Sequence, residues 1–101
     1  MGNLNKAEWK RLSKQLMSLK PELRDIEADQ WLVAFAQKAM SEKLTDARMK
    51  GRGGWWTTDC DTEFLKELLK EHVDKGDMRD VMNIAAMIWF RQAASIESLS
   101  E

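Results

Sequence analysis

A chain of 101 residues, 44% hydrophobic and 33% charged with a formal net charge of −1, has the size and balance of one helical domain and is no disordered tail. Leu, Ala, Met, Lys and Glu dominate while Tyr is absent and Val and Thr are few, which favours helix over strand. No apolar run reaches the ~18–20 residues of a membrane span and there is no signal-peptide core; Cys60 is the single cysteine, so a reducing, cytoplasmic setting in a host cell is expected.

Residues 1–5 and 95–101 are expected to fray, leaving one domain over 1–101. Asn5 caps a first helix over 6–20, with Glu8 three residues on. Trp9, Leu12, Leu16 and Leu19 form its narrow apolar stripe. Pro21 stops that helix, and Pro21-Glu22-Leu23-Arg24-Asp25-Ile26 reads as a short bridging turn. The second helix, 27–50, opens with Trp31-Leu32-Val33-Ala34-Phe35-Ala36, apolar all round and therefore expected between neighbours.

Lys50-Gly51-Arg52-Gly53-Gly54-Trp55-Trp56 breaks the helical pattern. Gly51 suits a helix C-terminus, and Gly53 or Gly54 should reach positive φ. The paired tryptophans make the stretch a clamped hinge rather than a flexible linker. Thr57-Thr58-Asp59-Cys60-Asp61 offers several N-caps to a third helix over 62–75. Gly76 ends that helix, and Asp77 caps a fourth over 78–94, with Asp80 in its first turn. Val81, Met82, Ile84, Ala85, Ala86, Met87, Ile88, Trp89 and Phe90 make the fourth helix the hydrophobic centre, with Asn83 its polar exception. Such a helix is surrounded, or offers one side to a second copy. The fold class is all-α: about four main helices with a Gly-rich hinge between the second and third.

Charge is unevenly laid down, +4 over residues 1–54 and −5 over 55–101. Arg48, Lys50 and Arg52 beside Trp55 and Trp56 offer cations, glycine N–H groups and a stacking ring to a phosphate-bearing ligand. No G-K-[ST] follows, so this is not a Walker loop. Glu63, Glu67, Glu71 and Asp74 line one side of the third helix, and Asp77 and Asp80 open the fourth. Two acidic faces meeting at a corner can hold Mg²⁺, yet Lys66 and Lys70 punctuate the row as they do on a solvated face. His72, on the leucine stripe with no second histidine, reads as a hydrogen-bonded boundary residue rather than a zinc ligand. Cys60, among acids, is a poor nucleophile.

Phe35-Ala36-Gln37-Lys38-Ala39-Met40, Lys43-Leu44, Arg48 and Lys50-Gly51-Arg52-Gly53-Gly54-Trp55, followed by Leu65, Leu69, His72-Val73-Asp74-Lys75-Gly76-Asp77, Asp80-Val81, Asn83, Met87-Ile88 and Arg91, form one pattern. Over residues 33–91 it resembles the C-terminal part of Ead-like early-region proteins of temperate tailed bacteriophages. Their K-x-R-G-G-W hinge precedes H-V-x-K-G-D-P-x-D-V-A-N-F and an apolar helix. Here Met78 stands in place of the proline, and Trp56 where Asp or His is frequent. The resemblance implies a phage or prophage setting and no assigned activity. A second similarity is to the all-α MazG-type nucleotide pyrophosphohydrolases, which bind Mg²⁺ and a nucleoside triphosphate through E-E-x-x-E and E-x-x-D motifs. Glu67, Glu71, Asp77 and Asp80 are the positions able to stand in, and the first motif's spacing is not reproduced.

These observations favour a non-catalytic accessory protein, with no cofactor, that binds a host or phage protein. A role in anti-defence or host takeover is the expected setting. The alternative is a Mg²⁺-dependent nucleotide-binding or pyrophosphohydrolase-like protein. Nucleic acid ranks behind both because the net charge does little to neutralise phosphates, and self-association through the fourth helix is compatible with either.

Overall fold

The computed structural model describes residues 5–96. Its regular elements are α1 (Lys6–Met17), α2 (Pro21–Met49), α3 (Thr62–Lys75) and α4 (Met78–Ala93), so the fold is all-α with four helices. Residues 1–4 and 97–101, most of the ends expected to fray, lie outside the described residues. The sequence reads as one domain; the fold divides into two compact units, with the boundary inside α2 between Ala39 and Met40. No helix among the described residues is long and apolar enough to cross a membrane.

In the first unit, Asn5 Oδ1 accepts from the Glu8 N–H at 2.9 Å, and the Asn5 amide donates back to Glu8 Oε1 at 3.4 Å. The cap is the expected one, closed through side chains. α1 stops at Met17, short of Pro21, and the Ser18 hydroxyl donates to the Gln15 carbonyl at 2.6 Å. Arg24 then staples the turn, donating from Nε to Leu19 O at 3.1 Å and from Nη2 to Met17 O at 3.0 Å.

Pro21 begins α2 instead of separating a bridging turn from it. At the first helical position the missing N–H costs nothing and the fixed φ is already helical, so residues 21–26 join the long helix. The run 31–36 departs from expectation too. Leu32 and Val33 are 68% and 63% exposed, because this unit supplies one other helix to cover α2 and Leu16 and Ala39 are its buried apolar residues.

The second unit holds the core. Leu65 on α3 meets Ile84 and Ile88 on α4, with Cys60, Leu68, Leu69 and Met87 packed around them. α2 ends as the glycine predicts: Gly51 takes φ 79°, its N–H donates to Arg48 O and that of Arg52 to Ala47 O, each at 2.9 Å. Of the two hinge glycines, Gly54 is the left-handed one, at φ 82°. Among the offered caps, Asp61 is the one used, accepting from the Glu63 N–H at 3.0 Å. The same two-bond closure recurs at Gly76, φ 75°, where Gly76 N–H reaches Val73 O and Asp77 N–H reaches His72 O, both at 3.0 Å. α3 and α4 therefore run antiparallel across a tight corner.

α4 is less enclosed than its composition suggests. Ile84 and Ile88 are buried, but Met78, Trp89 and Phe90 are exposed, and Arg91 is the residue buried completely.

Candidate functional site

The α3/α4 hairpin carries two chemically distinct ends. At the open end, opposite the corner, the chain enters α3 through the loop 50–61, and Arg91 lies in the last turn of α4. Arg91 follows Ile84 and Ile88 at helical spacing, so its side chain projects from the core face of α4. Its Nε donates to Thr62 Oγ1 at 3.0 Å. Nη1 donates to the carbonyls of Trp55 at 2.6 Å and Thr57 at 2.8 Å, and Nη2 to that of Cys60 at 2.5 Å. A loop without a ladder partner has carbonyls to satisfy, and a planar fork of five N–H groups satisfies several at once. The Trp55 ring, edge-on to Phe90 with centroids 5.3 Å apart, presses the same loop onto α4.

The two tryptophans of the hinge thus divide their roles. Trp55 is half-buried and holds the loop, whereas Trp56 is 63% exposed, and Phe64 and Trp89 beside this end are 60% and 67% exposed. Arg48, Lys50 and Arg52 are all exposed. Arg48 donates to Thr45 Oγ1 at 3.0 Å, back along its own helix.

At the corner, the bond from Asp77 N–H to His72 O folds the start of α4 back over the end of α3. The carboxylates of Asp77 and Asp80 consequently face the imidazole: His72 Nδ1 lies 3.5 Å from Asp77 Oδ2 and 3.6 Å from Asp80 Oδ2. One ligand atom from each of the three comes within 4.8 Å of the others. Lys43 of α2 reaches Asp80 Oδ2 at 3.2 Å, and one turn earlier Met40 O accepts from Asn83 Nδ2, also at 3.2 Å.

The capping and hydrogen bonding expected at this corner change, and the alternative Mg²⁺ set is only half assembled. Asp77 begins α4, but its side chain makes no capping hydrogen bond; Asp80 lies in the first turn, as expected, and pairs with Lys43 and His72. His72 is half-buried at the boundary, but its Nδ1 is buried without the expected hydrogen bond. Of the four carboxylates suggested for Mg²⁺, only Asp77 and Asp80 come together. Glu67 and Glu71 are exposed, and Glu67 pairs with Lys70 at 3.4 Å. The Asp77 carboxyl is held below its ordinary value, chiefly by hydrogen bonding with the Asp80 side chain. Desolvation opposes this, while Lys43, the Asp80 backbone N–H (short of a capping bond) and His72 add to it.

Compared with known proteins, the chain matches no family, no curated sequence and no solved structure.

Proposed function

We propose that the chain is a non-catalytic accessory protein that docks a partner protein through the aromatic open end of its α3/α4 hairpin. The supporting observation is the joint presence there of large exposed rings and a braced backbone: Trp56, Phe64 and Trp89 face outward while Arg91 and Trp55 fix the loop beneath them. Rings held on rigid backbone lose little freedom on docking, and tryptophan is among the strongest interface anchors. With the resemblance of residues 33–91 to early-region phage modules, the reading becomes that of a phage-encoded protein acting on a host or phage protein inside the host cell, in anti-defence or host takeover.

Arg48, Lys50 and Arg52 ring the same loop as exposed cations and would contribute steering and rim contacts. The Mg²⁺-dependent nucleotide reading has less support, since Glu67 and Glu71 do not join Asp77 and Asp80.

The test compares the full chain with a Trp56→Ser/Trp89→Ser variant as baits in host cells. Both should give the same far-UV circular dichroism and melting temperature. The partner bound by the natural chain should be lost from the variant. A partner retained equally by both removes the aromatic end from the mechanism. Sedimentation of both proteins distinguishes self-association, in which the variant alone would fail to dimerise. Pyrophosphate release from nucleoside triphosphates with Mg²⁺, absent in Glu67→Gln, would establish the enzymatic alternative instead.

A further inference from the structure

We infer that the corner between α3 and α4 is a binding site for a divalent transition-metal ion of the Zn²⁺ class, held by His72 Nδ1 and by one carboxylate oxygen each from Asp77 and Asp80. The inference is independent of the docking surface at the opposite end of the hairpin.

The spacing of the donor atoms carries it first. His72 Nδ1 stands 3.5 and 3.6 Å from the two carboxylate oxygens, too far for a good hydrogen bond. With metal–ligand bonds of about 2.0–2.1 Å, the ligands of a tetrahedral centre are about 3.3–3.4 Å apart. The imidazole nitrogen therefore stands from each carboxylate oxygen close to the separation such an ion imposes, and all three ligand atoms lie within 4.8 Å of one another.

Unsatisfied buried atoms carry it second. Nearly all buried polar groups in proteins have a partner. Here His72 Nδ1 and Asn83 Oδ1 are buried without one. Asn83 is 4% exposed and sits one turn from Asp80 on the same face of α4. A metal ion supplies what Nδ1 lacks, an acceptor of its electron pair.

The donor set selects the class of ion. One imidazole with two carboxylates suits Zn²⁺ and its neighbours, whereas Mg²⁺ takes oxygen ligands in an octahedral shell rich in water. Two carboxylates and a neutral imidazole also balance the double charge. Lys43 is the competitor, because its ammonium already lies on Asp80 Oδ2. Its flexible stem lets it swing into solvent when the ion enters.

The experiment titrates Co²⁺ and then Zn²⁺ into the purified, chelator-treated full chain, reading Co²⁺ visible absorption and the melting temperature. Intense d–d bands of low coordination number, displaced by Zn²⁺, together with a rise in melting temperature, are expected. His72→Gln and Asp80→Asn should each weaken binding by about tenfold or more. Lys43→Met should tighten it several-fold, an effect that a merely structural ion pair would not produce. Cys60→Ser should leave the titration unchanged, which separates the corner from the free thiol. Failure to bind Co²⁺, binding unaffected by His72→Gln in a folded variant, or binding abolished by Cys60→Ser would each overturn the assignment.

Discussion

Replacing Arg91 with Met keeps a long apolar stem in the α4 core and removes the guanidinium that holds Trp55, Thr57, Cys60 and Thr62. A hydrogen bond to a charged group contributes about 1.5–3 kcal/mol, so these contacts together are worth roughly 6–12 kcal/mol before desolvation is counted. Dehydrating the cation returns several kcal/mol of that, and removing one partner from a buried charged arrangement typically costs about 3–5 kcal/mol. The net loss should therefore be about 3–5 kcal/mol, a large part of the roughly 5–15 kcal/mol that stabilises a domain. Urea unfolding followed by far-UV circular dichroism measures it as a lower midpoint at nearly constant slope. Amide exchange across residues 55–61 should accelerate in the same variant, since those carbonyls turn to water. Arg91→Lys should recover only a minor part, because an ammonium has three donors and no planar fork. An Arg91→Met protein within about 0.5 kcal/mol of the natural one would refute the reasoning, placing the change in the range of ordinary surface substitutions.

Three further outcomes follow from the described geometry. Gly54→Ala should destabilise by about 1 kcal/mol because φ is 82°, while Gly53→Ala, with no positive φ and open space around its Cβ position, should be neutral or slightly stabilising; paired thermal melts decide this. Ile88→Ala should cost about 2–4 kcal/mol in denaturant titrations, since Ile88 belongs to the central cluster. Because the folded state lowers the Asp77 carboxyl below its ordinary 3.8, Asp77 adds stability above that value and loses it as pH falls through the lowered one. Asp77→Asn should accordingly flatten the acid limb of the stability–pH profile, and an unchanged limb would remove Asp77 from it.

Local rules made much of the fold legible. Asn5 with Glu8, the span Thr62–Lys75, and Gly51 and Gly76 as helix ends all follow from caps and turn chemistry acting within a few residues. Pro21 was ambiguous because the same ring ends one helix or begins another, and only the flanking geometry chooses. The exposure of Leu32 and Val33 could not be read from the run 31–36, since an apolar segment does not say how many neighbours will cover it. Arg91 had an overlooked signal: the 4–3 spacing from Ile84 through Ile88 places it on the buried stripe. Its partners left none, being three loop carbonyls and the Thr62 hydroxyl, all distant along the chain. The corner was hidden differently. The pattern of its own helix sets His72 among leucines, whereas its orientation toward Asp77 and Asp80 arises from the turn at Gly76.

The bonds from Arg91 to the loop span 31 to 36 residues. During synthesis the chain therefore carries an unfinished loop for the whole time that α3, the corner and most of α4 are being added. Long closures of this kind form late and leave apolar surface open meanwhile. For an interval on the ribosome, Trp55 lacks the ring it will meet at Phe90 and its carbonyl lacks a donor, while α3 is already long enough to coil. The aromatic end is then assembled in one event when Arg91 arrives. Chaperone capture and proteolytic nicking of nascent chains should therefore concentrate between α2 and α3.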